Sequence, residues 1–374
     1  MIKITKVKFL ISVFLSCLIF GCVDPVEPEF AFEEGIIYVD ALVSTSPGAS
    51  FVSVYESRIE FRIYKNIFQE GATVFFRNPE TNTLVNLIED EGAYLPPTDF
   101  SAEVGETWEL YITLADGREY HSLSERIAAP VAISAISADY VTDLYFSEAE
   151  NNYIPGHSVK VDFDDPMDDT NFYYWRFRSY EHITDCDICY DGVLRNGVCE
   201  TGTIARPPYY SYACSSECFR IRYSENVQIF SDEFVNGTSV NKLSVANVPL
   251  YTKENILVEI QQFSLSPSAH KYFKALKDIL DNNGGFNAPP PAALIGNIFN
   301  PNDGEEYVLG RFTAAAAVVE TVFIERGNIQ ESPLEDFIIG NYEEYGISPD
   351  PQTTTAPCEE TRYRTGTAPQ GWIE

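Results

Sequence analysis

The chain has 374 residues, of which 25 are basic and 56 acidic, and its formal net charge is −31 at pH 7. A chain this acidic repels nucleic acid and anionic lipid surfaces, so we exclude nucleic acid as a partner. Because 45% of the residues are hydrophobic and the charge is spread along the chain, a wholly disordered protein is excluded as well. The length predicts two or three domains.

Residues 1–21 have the features of a secretory leader. Three lysines at positions 3, 6 and 8 precede the twelve apolar residues FLISVFLSCLIF (9–20). A membrane-spanning helix needs about 20 apolar residues, so this run is too short to span and is typical of a cleaved signal peptide. We therefore predict that residues 1–21 are removed.

The end of the leader, Leu-Ile-Phe-Gly (18–21) followed by Cys22, resembles a bacterial lipobox. We predict that Cys22 receives diacylglycerol and becomes the first residue of the mature chain; the alternative is an ordinary signal peptide with an incidental cysteine. Several acyl chains on one residue form a durable anchor, so the membrane is contacted through lipid only. The acidic, proline-bearing stretch 22–34 is then an extended tether.

Residues 35–130 predict a β-sandwich domain. Short runs rich in β-branched and aromatic residues alternate with turn signals, and the predicted strands are 36–44, 51–57, 72–78, 84–90 and 108–115. Asp116-Gly117 is a strong hairpin signal. The order of Gly-Ala-Thr-Val (71–74), Gly-Ala-Tyr (92–94) and WELYITLADGREY (108–120) resembles transthyretin-like and carboxypeptidase-regulatory-like sandwiches, which are usually structural.

Residues 131–374 predict a larger β-rich domain with one bracing helix. The predicted strands are 159–163, 172–177, 225–231, 242–248, 255–264 and 318–326. Ser266 as N-cap, with proline at the first helical position, starts a helix over about 266–282. Asn283-Gly284-Gly285 ends that helix, and its apolar face is expected to pack on a sheet.

Six further cysteines lie beyond the lipobox, and they are Cys186, Cys189, Cys199, Cys214, Cys218 and Cys358. Export favours disulfides, although the sequence does not fix the connectivity. The spacing of the first, second, fourth and fifth also approximates a zinc ribbon, and reactive thiols are a third possibility. We predict a disulfide-stapled excursion over 182–218 with at least two internal disulfides, which leaves one cysteine available to Cys358.

Three tyrosines in this excursion, Tyr209, Tyr210 and Tyr212, are candidates for contact with a ligand or a partner. Clustered tyrosines on a rigid loop supply contact area at low entropic cost. The alternative interpretation is that they pack over the disulfides.

The catalytic inventory is thin. The sequence has no nucleophile elbow, phosphate-binding glycine loop, dinucleotide fingerprint or paired-histidine metalloprotease motif. Its acidic cluster at 162–169 suits calcium in ligand type but lacks the calcium-loop pattern, which favours a solvated loop. We therefore predict no catalytic residues, no metal and no cofactor, and hence a protein that is not an enzyme.

The order of features, namely the lipobox, IIYVDALVST (36–45), LADGREYHS (114–122), the mid-chain cysteines and GNIFNPNDGEEYVLGRFTA (296–314), resembles a family of exported lipoproteins known as domain of unknown function 4249. The resemblance implies an outer-membrane lipoprotein, on the periplasmic or cell-surface face, that is accessory to a TonB-dependent transporter. It supplies no catalytic residues. The alternative function is a structural or adhesive envelope protein that binds a polymer or a surface protein.

Overall fold

Twenty-four β-strands and one α-helix form the described part of the chain, so the predicted class, mainly β with one helix, is confirmed. The computed structural model describes residues 34–334 and 358–373, apart from residues 62, 148–149, 168–169, 183–185, 191, 196–197, 202–209, 215–217, 225, 282–293 and 359. The side chains of residue 64 and of residues 183–217 also lie outside this description.

The first ten strands precede residue 130, and they are β1 (Ile37–Ser44), β2 (Phe51–Glu60), β3 (Ile63–Phe68), β4 (Thr73–Arg77), β5 (Leu84–Asn86), β6 (Ile88–Asp90), β7 (Ala93–Leu95), β8 (Thr107–Thr113), β9 (Glu119–Ser122) and β10 (Glu125–Arg126). The predicted Asp116-Gly117 hairpin is confirmed between β8 and β9. Gly117 adopts a φ of 91°, the left-handed conformation that glycine tolerates best.

The next elements are β11 (Ile133–Ser147), β12 (Asn152–Asp164), β13 (Phe172–His182), β14 (Cys186–Tyr190), β15 (Gly192–Arg195), β16 (Val198–Thr201), β17 (Tyr210–Cys214), β18 (Phe219–Tyr223), β19 (Gln228–Ser231), β20 (Ser239–Pro249), β21 (Ile256–Ser264) and the helix α1 (Pro267–Asp281). Three strands complete the fold, namely β22 (Ile298–Phe299), β23 (Val308–Ile324) and β24 (Arg364–Thr365).

One eleven-stranded sheet joins both halves of the sequence. Its order is β24-β18-β13-β21-β23-β1-β2-β7-β6, with β19 beside β13 and β3 beside β2. The joint is the parallel pairing of β1 with β23, from Ile37 opposite Val308 to Ser44 opposite Ala315. Strands from both sides of residue 130 therefore share one sheet within a compact unit, Gly35–Glu374, and the division into two domains at residue 130 stays a prediction.

Two smaller sheets cover one face of the large sheet. The six-stranded sheet (β22, β9, β8, β4, β5 and β10) packs on β1 and β2 through a core that includes Val39, Val54, Phe76, Leu110 and Tyr120. The three-stranded sheet (β11, β12 and β20) packs on β13 and β21 through a second core that includes Val161, Phe163, Trp175, Val258 and Ile260. The excursion forms two separate two-stranded sheets, β14–β17 and β15–β16.

Helix α1 packs on the opposite face of the large sheet, as a bracing helix should. Ser266 accepts a hydrogen bond from the backbone N–H of Ala269 at 3.2 Å, which is the predicted N-cap. Tyr272 and Phe273 are buried, and the ring of Phe273 stacks on Tyr174 with centroids 4.5 Å apart. Within the described residues no helix combines the length and the hydropathy needed to cross a membrane.

Strand β23 begins ten residues earlier than the predicted strand at 318–326. Its first half contains Gly310 and four consecutive alanines, residue types that are depleted in strands, so the sequence signal is weak there. Gly310 has a φ of 92°, and a Cβ at this position would lie 1.9 Å from the backbone oxygen of Val39. The close approach of β23 to β1 therefore requires glycine.

The acidic cluster is more ordered than the predicted solvated loop. Asp162 accepts a hydrogen bond from the backbone N–H of Lys242 at 2.5 Å, and Asp164 accepts one from the hydroxyl of Ser239. Asp165 is buried and accepts hydrogen bonds from the hydroxyl of Tyr173 and from a backbone N–H at 3.1 Å. These carboxylates connect β12 and the residue after it to β20 and β13.

A buried histidine on β12 makes stability depend on pH. His157 is 3% exposed and its Nδ1 has no hydrogen-bond partner among the described residues. Burial, assisted by the charge of Arg326, lowers the pKa of His157 to about 4. As the pH falls from about 6.5 toward 4, the unfolded chain binds a proton that the folded chain does not. The free energy of unfolding is therefore expected to fall by about 3 kcal/mol from this group.

The variant His157→Phe isolates this contribution. It removes the titrating ring nitrogen and keeps an aromatic ring beside Tyr140, whose centroid lies 5.3 Å from that of His157. Urea unfolding at pH 7, 5.5 and 4.5 measures the difference between the two proteins. The variant should lose less stability than the natural chain over this window, and parallel pH profiles would contradict the account.

Candidate functional site

The candidate site lies on the face of the large sheet that the two smaller sheets leave uncovered. On β13 the sequence FYYWRFRSYEH buries Tyr173, Trp175 and Phe177 against the core, so Arg176 and Arg178 point the other way. Strand pairing places Arg176 opposite Gln261 and Arg178 opposite Glu259. Two arginines thus lie in the middle of an aromatic strand, on the face that does not pack against a second sheet.

This face is strongly curved. The guanidinium of Arg176 lies 4.8 Å from the ring centroid of Phe51 on β2, although β21, β23 and β1 separate β13 from β2 in the sheet. Such a contact requires the sheet to curl around its second face. The curl encloses a cleft of about 1030 Å³, which we call the arginine cleft after Arg176, Arg178 and Arg362 in its lining.

Arg178 is held by a carboxylate. Its Nη2 lies 2.6 Å from Oε1 of Glu259, and its Nε donates to the same oxygen at 2.9 Å. Gln261 also donates to Glu259, at 2.7 Å. Burial by itself lowers the pKa of Arg178, but the carboxylate of Glu259 raises it above its ordinary value. The charge of Arg178 is therefore balanced by Glu259, and its side chain is held in place in the lining of the arginine cleft.

Arg176 and Arg362 are held by aromatic rings instead. The guanidinium of Arg362 lies 5.3 Å from the centroid of Phe51 and 5.2 Å from that of Tyr223, so both arginines share the ring of Phe51. Among the described residues neither guanidinium forms an ion pair, although the side chain of Arg362 is hydrogen-bonded to Tyr223. The remaining N–H groups can bind a ligand, while cation–π contacts fix the planes of the guanidinium groups.

A partly buried carboxylate lies close to these two arginines. Burial raises the pKa of Asp40, and the charges of Arg176 and Arg362 oppose that shift. Tyr38 and Tyr174 are its neighbours, and burial together with the charge of Asp40 raises the pKa of both phenols. With Asp40 ionised, the group of one carboxylate and two guanidiniums keeps a positive charge, which suits an anionic group at this point of the cleft, although Asp90, Glu320 and Glu360 also belong to the lining.

The segment 358–373 positions Arg362. A disulfide joins Cys218 to Cys358 across 140 positions of sequence, and β24 pairs with β18. The hydroxyl of Tyr223 donates to the backbone oxygen of Arg362 at 2.8 Å. Trp372 packs against Phe219 with ring centroids 5.0 Å apart. This C-terminal strap therefore carries one wall of the arginine cleft.

The chemistry of the lining suits binding. Guanidinium groups recognise carboxylates and phosphates through paired N–H donors, and the aromatic rings supply flat apolar contact area. Among the described residues that line the cleft there is no serine, cysteine or histidine. In the described part of the chain no three His, Cys, Asp or Glu side chains come together as metal ligands.

A family model described as Domain of unknown function (DUF4249) matches residues 23–321. The chain belongs to the DUF4249 family. No curated protein and no solved structure matches it. Asp40, Phe51, Arg176 and Arg178 of this DUF4249 protein lie within the matched residues, whereas Arg362 and the rest of the strap lie beyond them.

The structure describes only some of the cysteines for which the sequence predicts disulfides. The strap disulfide joins Cys218 to Cys358, which is the link expected between the excursion and the C-terminal cysteine. The backbone register sets Cys186 opposite Cys214 on β14 and β17. The side chains of these two cysteines, and of Cys189 and Cys199, lie outside the described residues, so the internal disulfides stay a prediction.

The other predicted contact residues also fall outside the description. Cys22 and Tyr209 are not among the described residues. The backbone of Tyr210 and Tyr212 is described, but their side chains are not. Sequence reasoning did not single out Arg176, Arg362 or Phe51. One signal was available on β13, because two arginines alternate with buried aromatic residues there, and that pattern places charge on the face opposite the aromatic core.

Proposed function

We propose that this DUF4249 protein is an outer-membrane lipoprotein that captures an anionic ligand in the arginine cleft for a TonB-dependent transporter. The observation that carries the proposal is the pair Arg176 and Arg362, two guanidiniums that have one carboxylate neighbour between them, Asp40, and are held over one phenyl ring in a cleft of about 1030 Å³. Clefts of this size suit small molecules or short segments of a polymer.

The leader and the lipobox support the location. A lipid on Cys22 would hold the folded part at the membrane surface through a tether of about a dozen residues. The acidity of the chain supports the arginine cleft as the place where an anion binds. A protein with a net charge of −31 repels anions over most of its surface, so an anion that binds requires local arginines such as those of the cleft.

Replacing Arg176 with glutamine is expected to weaken anion binding about tenfold or more, because a charge-assisted hydrogen bond contributes about 1.5–3 kcal/mol. The probe is 8-anilinonaphthalene-1-sulfonate, which combines a sulfonate with aromatic rings, titrated by fluorescence. The matched control is Arg77→Gln. Arg77 also lies over a tyrosine ring, at 5.9 Å from Tyr111, but it lies outside the cleft. Equal affinities for the two variants would argue against the cleft as the binding site.

Deletion of the gene separates uptake from the alternative function. Loss of growth on one nutrient, with an intact envelope, supports ligand capture for a transporter. Normal growth on every nutrient combined with altered envelope integrity or attachment supports a structural or adhesive protein and contradicts the proposal.

A further inference from the structure

The β2–β3 hairpin ends in an exposed apolar tip. Ile59 is 39%, Phe61 96% and Ile63 59% exposed. The ladder closes with Glu60 opposite Ile63, so Phe61 lies at the end of the hairpin. None of the three apolar side chains belongs to the described hydrophobic cores.

The backbone at the tip is unfavourable for the residue that occupies it. Phe61 has a φ of 54°, in the left-handed region. Two-residue hairpin turns favour asparagine or glycine there, and a bulky side chain with positive φ is an outlier. Phe61 is thus both strained and exposed to solvent. Stability of the fold does not explain phenylalanine at this position, and such violations of local rules are characteristic of functional sites.

The tether joins the fold at the base of this hairpin. The backbone N–H of Gly35 donates to the oxygen of Ser57 at 2.9 Å, and the N–H of Ser57 donates to the oxygen of Ile36 at 2.9 Å. Because β1 runs antiparallel to β2, the hairpin continues past the start of β1 by about four residues, roughly 13 Å. Twelve residues lie between Cys22 and Gly35, which gives a maximum reach of roughly 45 Å.

We propose that the tip formed by Ile59, Phe61 and Ile63 inserts into the lipid surface to which the chain is anchored. The inference rests on the proposed lipid anchor at Cys22 and adds a second membrane contact to it. The chain enters the fold at the end of β1 that is bonded to the hairpin base, so the tip lies near the point at which the lipid-anchored segment begins.

Charge and area both favour lipid as the occupant. Arg58 pairs with Glu56 at 2.9 Å and Lys65 pairs with Glu60 at 2.7 Å, so these four side chains carry no net charge despite the acidity of the chain. Arg62, the other charged residue of this segment, lies outside the described residues.

The register sets Ile59 opposite Tyr64 and Ile63 opposite Glu60, so the two isoleucines lie on opposite faces of the hairpin. Together with Phe61 they offer roughly 400 Å² in total. That is about half of what one partner buries in a stable protein–protein interface, whereas insertion into lipid requires no matching surface.

The test uses the full mature chain, lipidated and reconstituted into phosphatidylethanolamine–phosphatidylcholine vesicles with bromine on the acyl chains. The variant Phe61→Trp reports insertion, and Phe234→Trp is the control because Phe234 is also 90% exposed but lies in the turn between β19 and β20. The fluorescence of the tryptophan introduced by Phe61→Trp is expected to shift to shorter wavelengths and to be quenched by the bromine atoms. The fluorescence of the tryptophan introduced by Phe234→Trp should not be quenched.

Mass spectrometry of the reconstituted chain keeps the two proposals distinguishable. A lipidated chain in which Phe61→Trp is not quenched overturns the insertion, including the case in which the tip contacts a protein instead. A chain without lipid on Cys22 overturns the anchor itself. The variant Phe61→Asn, whose side chain suits the positive φ, is expected to raise the urea midpoint; a lower midpoint would remove the argument from strain.

Discussion

Replacing Cys22 with serine is expected to move the protein from the membrane fraction to the soluble fraction. The thiol is the atom to which diacylglycerol is attached, and serine offers no such sulfur. Each buried CH₂ of an acyl chain contributes about 0.8 kcal/mol, so loss of several chains removes the whole anchor. Metabolic labelling with palmitate and fractionation of the cells measure the change.

The leader contains a matched control for this experiment. Cys17 lies five residues earlier, inside the apolar run, and Cys17→Ser should leave both labelling and membrane location unchanged. Palmitate labelling that persists in Cys22→Ser would refute lipidation at this cysteine, and with it the tether over residues 22–34.

Replacing Arg311 with leucine is expected to lower the free energy of unfolding by about 3–5 kcal/mol, because it leaves a buried carboxylate without its cation. Arg311 and Glu125 are each 6% exposed and form an ion pair between β23 and β10. Ser266, the N-cap of α1, donates to Glu125 at 2.8 Å. Asn297 donates to Glu125 at 3.3 Å and to the backbone of β23 at 2.9 Å.

The double variant Glu125→Gln with Arg311→Leu is the control for the buried charge. The amide oxygen of glutamine can still accept the hydrogen bond from Asn297, and its amide N–H can donate to the hydroxyl of Ser266, so removal of both charges should restore most of the stability. Urea unfolding of the natural chain, Arg311→Leu and the double variant provides the comparison. A loss below about 1 kcal/mol in Arg311→Leu, or a double variant less stable than Arg311→Leu, would contradict a structural role for the ion pair.

This network explains one feature of the sequence that had no derived role. The block 296–314 is one of the segments that carry the resemblance to the DUF4249 family, and it contributes Asn297 and Arg311 to the network. It also contributes Gly310, which permits the close pairing of β23 with β1. The block therefore stabilises the joint between the two halves of the large sheet rather than lining the arginine cleft.

Local features of the fold could be predicted from the sequence. The strands alternate or are rich in β-branched residues, the hairpin at Asp116-Gly117 requires a glycine, and the helix starts at Ser266-Pro267. These signals act between residues that are close in the chain. The apolar spacing in α1 includes both Tyr272 and Leu280, but Tyr272 is buried and Leu280 is 49% exposed, so the packed face is shorter than the spacing predicts.

The candidate site depends on contacts that the sequence does not encode locally. Phe51, Arg176 and Arg362 come from three distant segments, and they meet because the large sheet curls and the disulfide at Cys358 places the strap across it. Neither the curl nor the disulfide partner follows from periodicity. Among the predicted site residues, Cys218 and Cys358 alone contribute to the described part of this region.

The most direct test of the proposed function is purification of the tagged, lipidated protein from outer membrane solubilised in mild detergent. The account predicts that a β-barrel TonB-dependent transporter co-purifies with the natural chain, and that it also does so with Arg176→Gln, because that variant alters the ligand cleft and not the anchor. Recovery of the lipoprotein alone, with no barrel partner in the natural chain, would contradict the account.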